Sequence, residues 1–339
     1  MAVTPTGPVV CFGEILLRFS APPGELLLQS PQLRVHVGGA EANVAVSLAR
    51  LAIDARMVSA VPENALADAA LGELRRWGVD VSRVRRAPGR MGLYFLTPAA
   101  GVRPYDVLYD RAGAAFATAD PGAWDWDQAL DGAAWLHLSG VTPALGPGGA
   151  QAAMNVVAAA RARSVRIAFD GNYRARLWSQ WDGDAPSILS GLLAGVDLAF
   201  VNERDLELAL KQDFSDLAPS ERLPAAASAA FQAFPQLTRI ATTQRLESRA
   251  LVGVLIDRQG RAVQSRPYSL DGAVDRIGAG DAFAAGLLDG LLRDQPAAAA
   301  IEFATAAACL KHGLHGDFNL ASREDIESLV NGETADVRR

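Results

Sequence analysis

The chain has 339 residues, 50% hydrophobic and 21% charged, a profile that suits a large buried core. Its net charge of −6 provides no basic face for nucleic acid. No stretch reaches the ~20 apolar residues of a membrane helix. The N-terminus shows neither a charged leader nor a long apolar run, so the expectation is a cytoplasmic protein.

Lys211 and Lys311 are the only lysines among 32 basic residues, so any phosphate or carboxylate clamp is expected to be arginine, which binds bidentately. Cys11 and Cys309 each sit in an apolar run and read as buried thiols. The histidines His36, His137, His312 and His315 show no zinc spacing with them.

In chain order, apolar runs predict strands over 9–12, 58–61, 135–138, 165–169, 197–201 and 239–242. Helical periodicity marks 40–51, 65–77, 148–163, 282–293, 297–312 and 322–330. Strands alternating with helices imply an α/β domain with a mostly parallel sheet covered on both faces, over 1–331, and a frayed tail at 332–339. Two pairs of runs, 14–19 with 33–37 and 93–97 with 105–109, have no helix between their members. They read as a small separate sheet inserted at about 14–37 and 91–111. The pattern leaves open a lid over a site or a surface decoration. A hairpin is expected from 250–256 and 262–266 around Asp257-Arg258-Gln259-Gly260.

The most informative stretch is Asp275-Arg276-Ile277-Gly278-Ala279-Gly280-Asp281, which enters the helix at 282. Two glycines let the backbone turn tightly and approach a ligand. The free N–H groups and positive dipole end of the helix favour an anion. A carboxylate beside an anion site makes chemical sense if Asp281 takes a proton from a hydroxyl that attacks a phosphoryl group. In open parallel sheets, ligands sit beyond the carboxyl ends of strands. Asp170, Asn202, Thr242 and Thr243 fall at such ends. The Gly278 turn joins them if a strand over 274–277 leads into it.

Together with Val37-Gly38-Gly39-Ala40-Glu41-Ala42-Asn43, this stretch resembles the two signature motifs of the ribokinase-like (PfkB) carbohydrate kinases, and the likeness spans nearly the whole chain. No P-loop motif is present. The resemblance implies a ribokinase-like fold with a β-sheet lid, ATP and Mg²⁺ as cofactors, and pairing of lids into a homo-oligomer. It implies an anion hole of Gly278, Ala279 and Gly280 with Asp281 as general base. Asn202-Glu203-Arg204-Asp205 resembles the family's Asn-x-x-Glu segment that organises Mg²⁺, with Asp where Glu is usual. That leaves open whether Glu203 or Asp205 acts, or whether Asn202 caps a helix with acidic first-turn residues. Asp275 matches a position that ligates a monovalent cation, such as K⁺, in relatives. Thr243, Arg245 and the helix ending near Cys309 would flank the nucleotide, with Asn202 nearby.

Asp170-Gly171-Asn172-Tyr173-Arg174 with Leu177-Trp178, and Gly316-Asp317-Phe318-Asn319, resemble segments of the family's 2-keto-3-deoxygluconate kinases. On that likeness the substrate is a sugar acid. Arg174 and Arg111 would hold its carboxylate or hydroxyls, Tyr94 and Tyr109 would donate from the lid, and Gly38, Gly39, Asn43 and Asp317 would complete the site. For Arg174 the structural alternative is a helix-start salt bridge. For the tyrosines it is lid packing. The rival functions are another sugar kinase of the fold, acting on fructose, tagatose or a nucleoside, and a non-catalytic sensor.

Overall fold

The computed structural model describes residues 7–332. The expected tail, Gly332 aside, and the first six residues lie outside them. The strands are β1 (Val9–Phe12), β2 (Leu16–Ser20), β3 (Arg34–Gly38), β4 (Ala55–Val61), β5 (Asp80–Arg86), β6 (Gly92–Thr97), β7 (Asp106–Asp110), β8 (Trp135–Ser139), β9 (Arg166–Asp170), β10 (Leu198–Phe200), β11 (Arg239–Arg245), β12 (Ala250–Asp257), β13 (Ala262–Gln264) and β14 (Tyr268–Ser269). The helices are α1 (Ala40–Arg50), α2 (Ala65–Arg76), α3 (Trp126–Ala129), α4 (Val141–Ala144), α5 (Pro147–Ala162), α6 (Ala175–Trp178), α7 (Ala185–Leu193), α8 (Glu203–Leu210), α9 (Pro219–Ala233), α10 (Ala279–Leu292), α11 (Ala297–His312) and α12 (Arg323–Val330).

A ten-stranded sheet runs β13-β12-β11-β10-β9-β8-β1-β4-β5, with β14 beside β12. It is parallel from β11 to β5 and antiparallel at the β11-β12-β13 end. Side chains alternate across a strand, and β1 shows the result. Val9 and Cys11 join the core under α1, α2, α10 and α11, while Val10 and Phe12 join the core under α5, α7 and α9. Both faces are thus covered, as a parallel sheet requires.

The four lid strands form a second sheet, order β3-β2-β6-β7, with β2 and β6 parallel and both outer pairs antiparallel. The separate small sheet expected from the helix-less pairs is therefore present.

Four features depart from the sequence reading. β5 was not expected: its Arg-rich sequence suits a charged edge strand, with only Val81 and Val84 leaning on the core. Helices α7 and α9 were not expected, because their interrupted Pro and Ala pattern hides the period, while α8 is the helix left open by an Asn202 cap. β11 continues to Arg245 because β12 pairs with it through Arg245 opposite Leu251, so Thr242 and Thr243 lie within the strand. No strand leads into the Gly278 turn; Val274 and Asp275 instead donate their N–H groups to the His312 carbonyl at 2.8 and 3.1 Å.

Candidate active site

Two helix N-termini converge here. α1 starts after Gly39 and α10 after Gly278. Both glycines have left-handed φ, +135° and +82°, and both are pressed by backbone: a Cβ would lie 2.1 Å from the Glu14 carbonyl at Gly39 and 1.9 Å from the Asp317 carbonyl at Gly278. Gly280 faces open space. The first N–H groups of α10 have no acceptor in their own helix. Ala279 N–H makes only a long 3.4 Å contact to the Arg276 carbonyl.

Asp281, 8% exposed, sits in the first turn of α10 and accepts a 2.7 Å hydrogen bond from Asn43 Nδ2 of α1. The two motifs, 238 residues apart, thus meet at one carboxylate. The Asp281 pKa is raised to about 7, chiefly by burial, with Glu41 and Asp317 adding to the effect and the Asn43 hydrogen bond and Arg174 opposing it. Glu41 is itself buried and accepts from Ser139 Oγ (2.6 Å) and N–H (2.9 Å).

A cleft of about 210 Å³ opens beside Gly280, lined by Asp170, Arg174, Asn202, Asp205, Thr242 and Thr243. Asp170, Asn202, Thr242 and Thr243 do come together, the two threonines from within β11 rather than from its end, and Arg174 joins them. Asp170 is the last residue of β9; burial raises its pKa strongly, with Asp281 and Asp205 adding to the effect and Arg174 opposing it. The exposed Arg174 guanidinium has no hydrogen-bond partner among the described residues, so the expected alternative of a helix-start salt bridge is absent there. Asn202 caps α8, accepting from Arg204 and Asp205 N–H, while the Asp205 carboxylate accepts from Asn202 N–H at 3.1 Å. Asp205 still lines the cleft and Glu203 does not.

The lid docks through charge. Arg18 of β2 holds Asp275 with Nη2 at 2.7 Å and Asp317 with Nε at 3.1 Å. Tyr94 of β6 donates to Asp317 at 2.6 Å. A Cβ on Gly38 would lie 2.3 Å from that carboxylate, so glycine is needed to seat it. Arg111 is buried against Glu14, 2.5 Å from Nε to Oε2, rather than open to the cleft. Tyr109 stands opposite Tyr94 in the lid ladder and packs on apolar neighbours.

A larger cleft, about 470 Å³, lies between the lid and the β11 end, lined in part by Arg245, Arg276, Leu270, Ala273 and His312. Arg245 Nη2 meets His312 Nε2 at 3.0 Å, and Arg276 stacks over Tyr105. Burial and the nearby Arg276 both lower the Arg245 pKa. Two guanidiniums close enough to repel and without a carboxylate partner among the described residues suit a polyanion. Cys309, half-buried, does not line this cleft; its thiol lies 3.1 Å from the Ser269 carbonyl, one residue before Leu270 of the lining.

Four charged groups of this region escaped the sequence reading as site residues: Glu14, Arg18, Glu41 and Lys311, all buried. The signal available was a charge set inside an apolar strand (Leu16-Leu17-Arg18-Phe19) and a lysine in a chain that otherwise uses arginine.

Residues 7–322 match the pfkB family of carbohydrate kinases. The chain belongs to that family. A 2-dehydro-3-deoxygalactonokinase from Haloferax volcanii is 33% identical over 334 residues, spanning 98% of this chain and 100% of the relative. A 2-dehydro-3-deoxygluconokinase from Bacillus subtilis is 26% identical, spanning 96% and 95%. The crystal structure of a 2-dehydro-3-deoxygluconokinase from Thermotoga maritima superposes with a TM-score of 0.89 at 36% identity, covering 97% of this chain and 99% of that one. The ribokinase-like fold and a sugar-kinase phosphotransferase activity follow. No helix among the described residues is long and apolar enough to cross a membrane.

Proposed function

We propose that this PfkB kinase transfers the γ-phosphoryl group of ATP to the terminal hydroxyl of 2-keto-3-deoxy-D-gluconate. The observation that carries the chemistry is Asp281: buried, tethered by Asn43, poised near neutral pH and set at a helix N-terminus. Asp281 takes the proton of the 6-hydroxyl as its oxygen attacks the γ-phosphorus. The bond to the ADP oxygen breaks, and ADP leaves with the electron pair. The N–H groups of Gly278, Ala279 and Gly280 stabilise charge on the transferring group.

Among the described residues no three His, Cys, Asp or Glu cluster as a metal site. Mg²⁺ needs none, since it keeps several waters and takes one or two carboxylates plus phosphates. Asp170 and Asp205, facing the cleft beside Gly280, would meet it through water, and Glu203 would not. When bound, Mg²⁺ neutralises phosphate charge. Arg245 and Arg276 would hold the polyphosphate tail, with Thr243 and Cys309 flanking the nucleotide.

A sugar acid is favoured because Arg174, the one cation lining this cleft, has no salt-bridge partner among the described residues. Gly38, Gly39 and Asn43 would meet the sugar from below, and the Tyr94–Asp317 and Arg111–Glu14 pairs would shape its far wall. The relatives' names support the 2-keto-3-deoxy class and divide between the gluconate and galactonate epimers. The test is Arg174→Ala with both epimers and fructose. The sugar-acid KM should rise by about tenfold or more, the scale of a lost charge-assisted hydrogen bond, while fructose turnover changes little. An unchanged sugar-acid KM contradicts the assignment.

The lid's outer face carries an apolar patch flanked by Asp106 and Asp110: Phe19 stacks on Phe95 at 5.5 Å, and Val35 and Leu108 are 54% and 58% exposed. We infer that a second copy of the chain covers it.

A further inference from the structure

Lys311 is one of two lysines in the chain, and it is 0% exposed. It lies in the last turn of α11, where its Nζ donates to the Leu314 carbonyl at 3.0 Å. Among the described residues no carboxylate touches it, so two of its three donors have no protein acceptor. A methionine or leucine would fill that space without the cost of burying a charge.

Its location offers a reason for the charge. Lys311 Cε lies 3.3 Å from where a Cβ on Gly278 would stand, directly against the turn that carries the anion hole. Asp275 and Asp317 act on it from nearby and partly offset the lowering of its pKa by burial.

The Asp275 carboxylate is fully engaged by the chain itself. Oδ1 accepts from Arg18 Nη1 at 3.3 Å and Ile277 N–H at 3.0 Å. Oδ2 accepts from Arg18 Nη2 at 2.7 Å and Gly316 N–H at 3.1 Å. Burial alone would raise this carboxyl, but Arg18 and Ile277 hold it below the ordinary value. A site whose acidic group already carries a guanidinium and two N–H donors does not fit a bound monovalent cation, which the resemblance led us to expect there.

We propose that the Lys311 ammonium is a built-in cation that positions and charges the Gly278–Gly280 turn, so that the enzyme works without K⁺. This rests on the phosphoryl-transfer reading of that turn. Arg18 fixes Asp275 from the lid side, and Lys311 backs the turn from α11.

The test compares ADP release by the wild type in potassium, sodium and tetramethylammonium chloride at one ionic strength. Rates within about twofold of each other are expected, and a rise of about tenfold with K⁺ overturns the proposal. Lys311→Met should lower kcat by about 10–100-fold with the sugar KM nearly unchanged, since the charge acts on the transferring group. Added K⁺ or ammonium should restore part of that loss in the variant and do nothing for the wild type. A variant that loses thermal stability but keeps wild-type kcat shows a merely structural lysine and overturns the proposal. If Lys311→Met does not fold, the wild-type ion comparison decides alone. If no sugar acid is turned over, the substrate reading fails, and the ion question is read from Mg-ATP binding by calorimetry. There a K⁺-dependent Kd overturns the proposal and a K⁺-independent one supports it.

Discussion

Asp281 is a carboxyl whose folded-state pKa lies near 7, raised mainly by burial from 3.8. A general base must be ionised, so kcat should fall as pH drops through about 7. Asn43→Ala removes a bond that lowers this pKa, so the acid limb of the profile should move upward. The stability effect has the opposite sense to that of an ordinary carboxylate. Between about pH 4 and 7 the folded chain holds a proton that the unfolded chain has lost, so stability falls as pH rises across that window. Asp281→Asn should therefore lower kcat by ~10²–10⁴-fold while leaving the protein as stable or more stable at pH 8. A near-wild-type rate removes Asp281 from the role, and a lower melting temperature at pH 8 contradicts the burial argument. Asp281 and Asn43 were legible because each sits in a glycine motif whose backbone demands narrow the choices. Arg18 and Glu14 were not, because their meaning lies in partners 257 and 97 residues away that only the fold brings together, and Lys311 was not, because its meaning lies in the distant Gly278 turn it packs against.

The unit of the site is the glycine turn leading into a helix, and its two glycines separate folding from chemistry. Gly278→Ala must place a Cβ 1.9 Å from the Asp317 carbonyl at φ +82°, so it should destabilise the fold by about 1–3 kcal/mol or more and abolish activity. Gly280→Ala meets nothing, so its melting temperature should hold while its Cβ intrudes where the phosphoryl group passes. A tenfold or greater loss in kcat/KM is expected there. A Gly280→Ala enzyme with full activity contradicts the placement of the anion hole. The buried parallel strands, as continuous apolar runs, and the long Ala- and Leu-rich helices could be read directly from the sequence. α8 was open in the sequence only as the helix that Asn202 would cap; α9 could not be read, because Pro224 and a run of alanines weaken its period and packing on the second core decides it.

For the molecule as a whole, the small sheet does two jobs. Its inner face ties to the segments around the Gly278 turn through Arg18, Tyr94 and Asp317, so that, on the proposed function, lid position is coupled to the anion hole. Its outer face exposes Val35 and Leu108 beside stacked Phe19 and Phe95. Light scattering should give a dimer for the wild type, and Phe95→Glu should shift it to monomer. A wild-type monomer at micromolar concentration would contradict lid pairing. The sequence disclosed this sheet through strands without intervening helices, but not its order or its docking, which depend on ion pairs to the far end of the chain.

The most direct test of the account is ADP release from Mg-ATP by the purified protein across 2-keto-3-deoxygluconate, its galactonate epimer, fructose, ribose and adenosine. The account predicts that kcat/KM for the keto-deoxy acids exceeds that for every neutral acceptor by about tenfold or more. Preference for a neutral sugar would keep the fold and Asp281 but contradict the role given to Arg174.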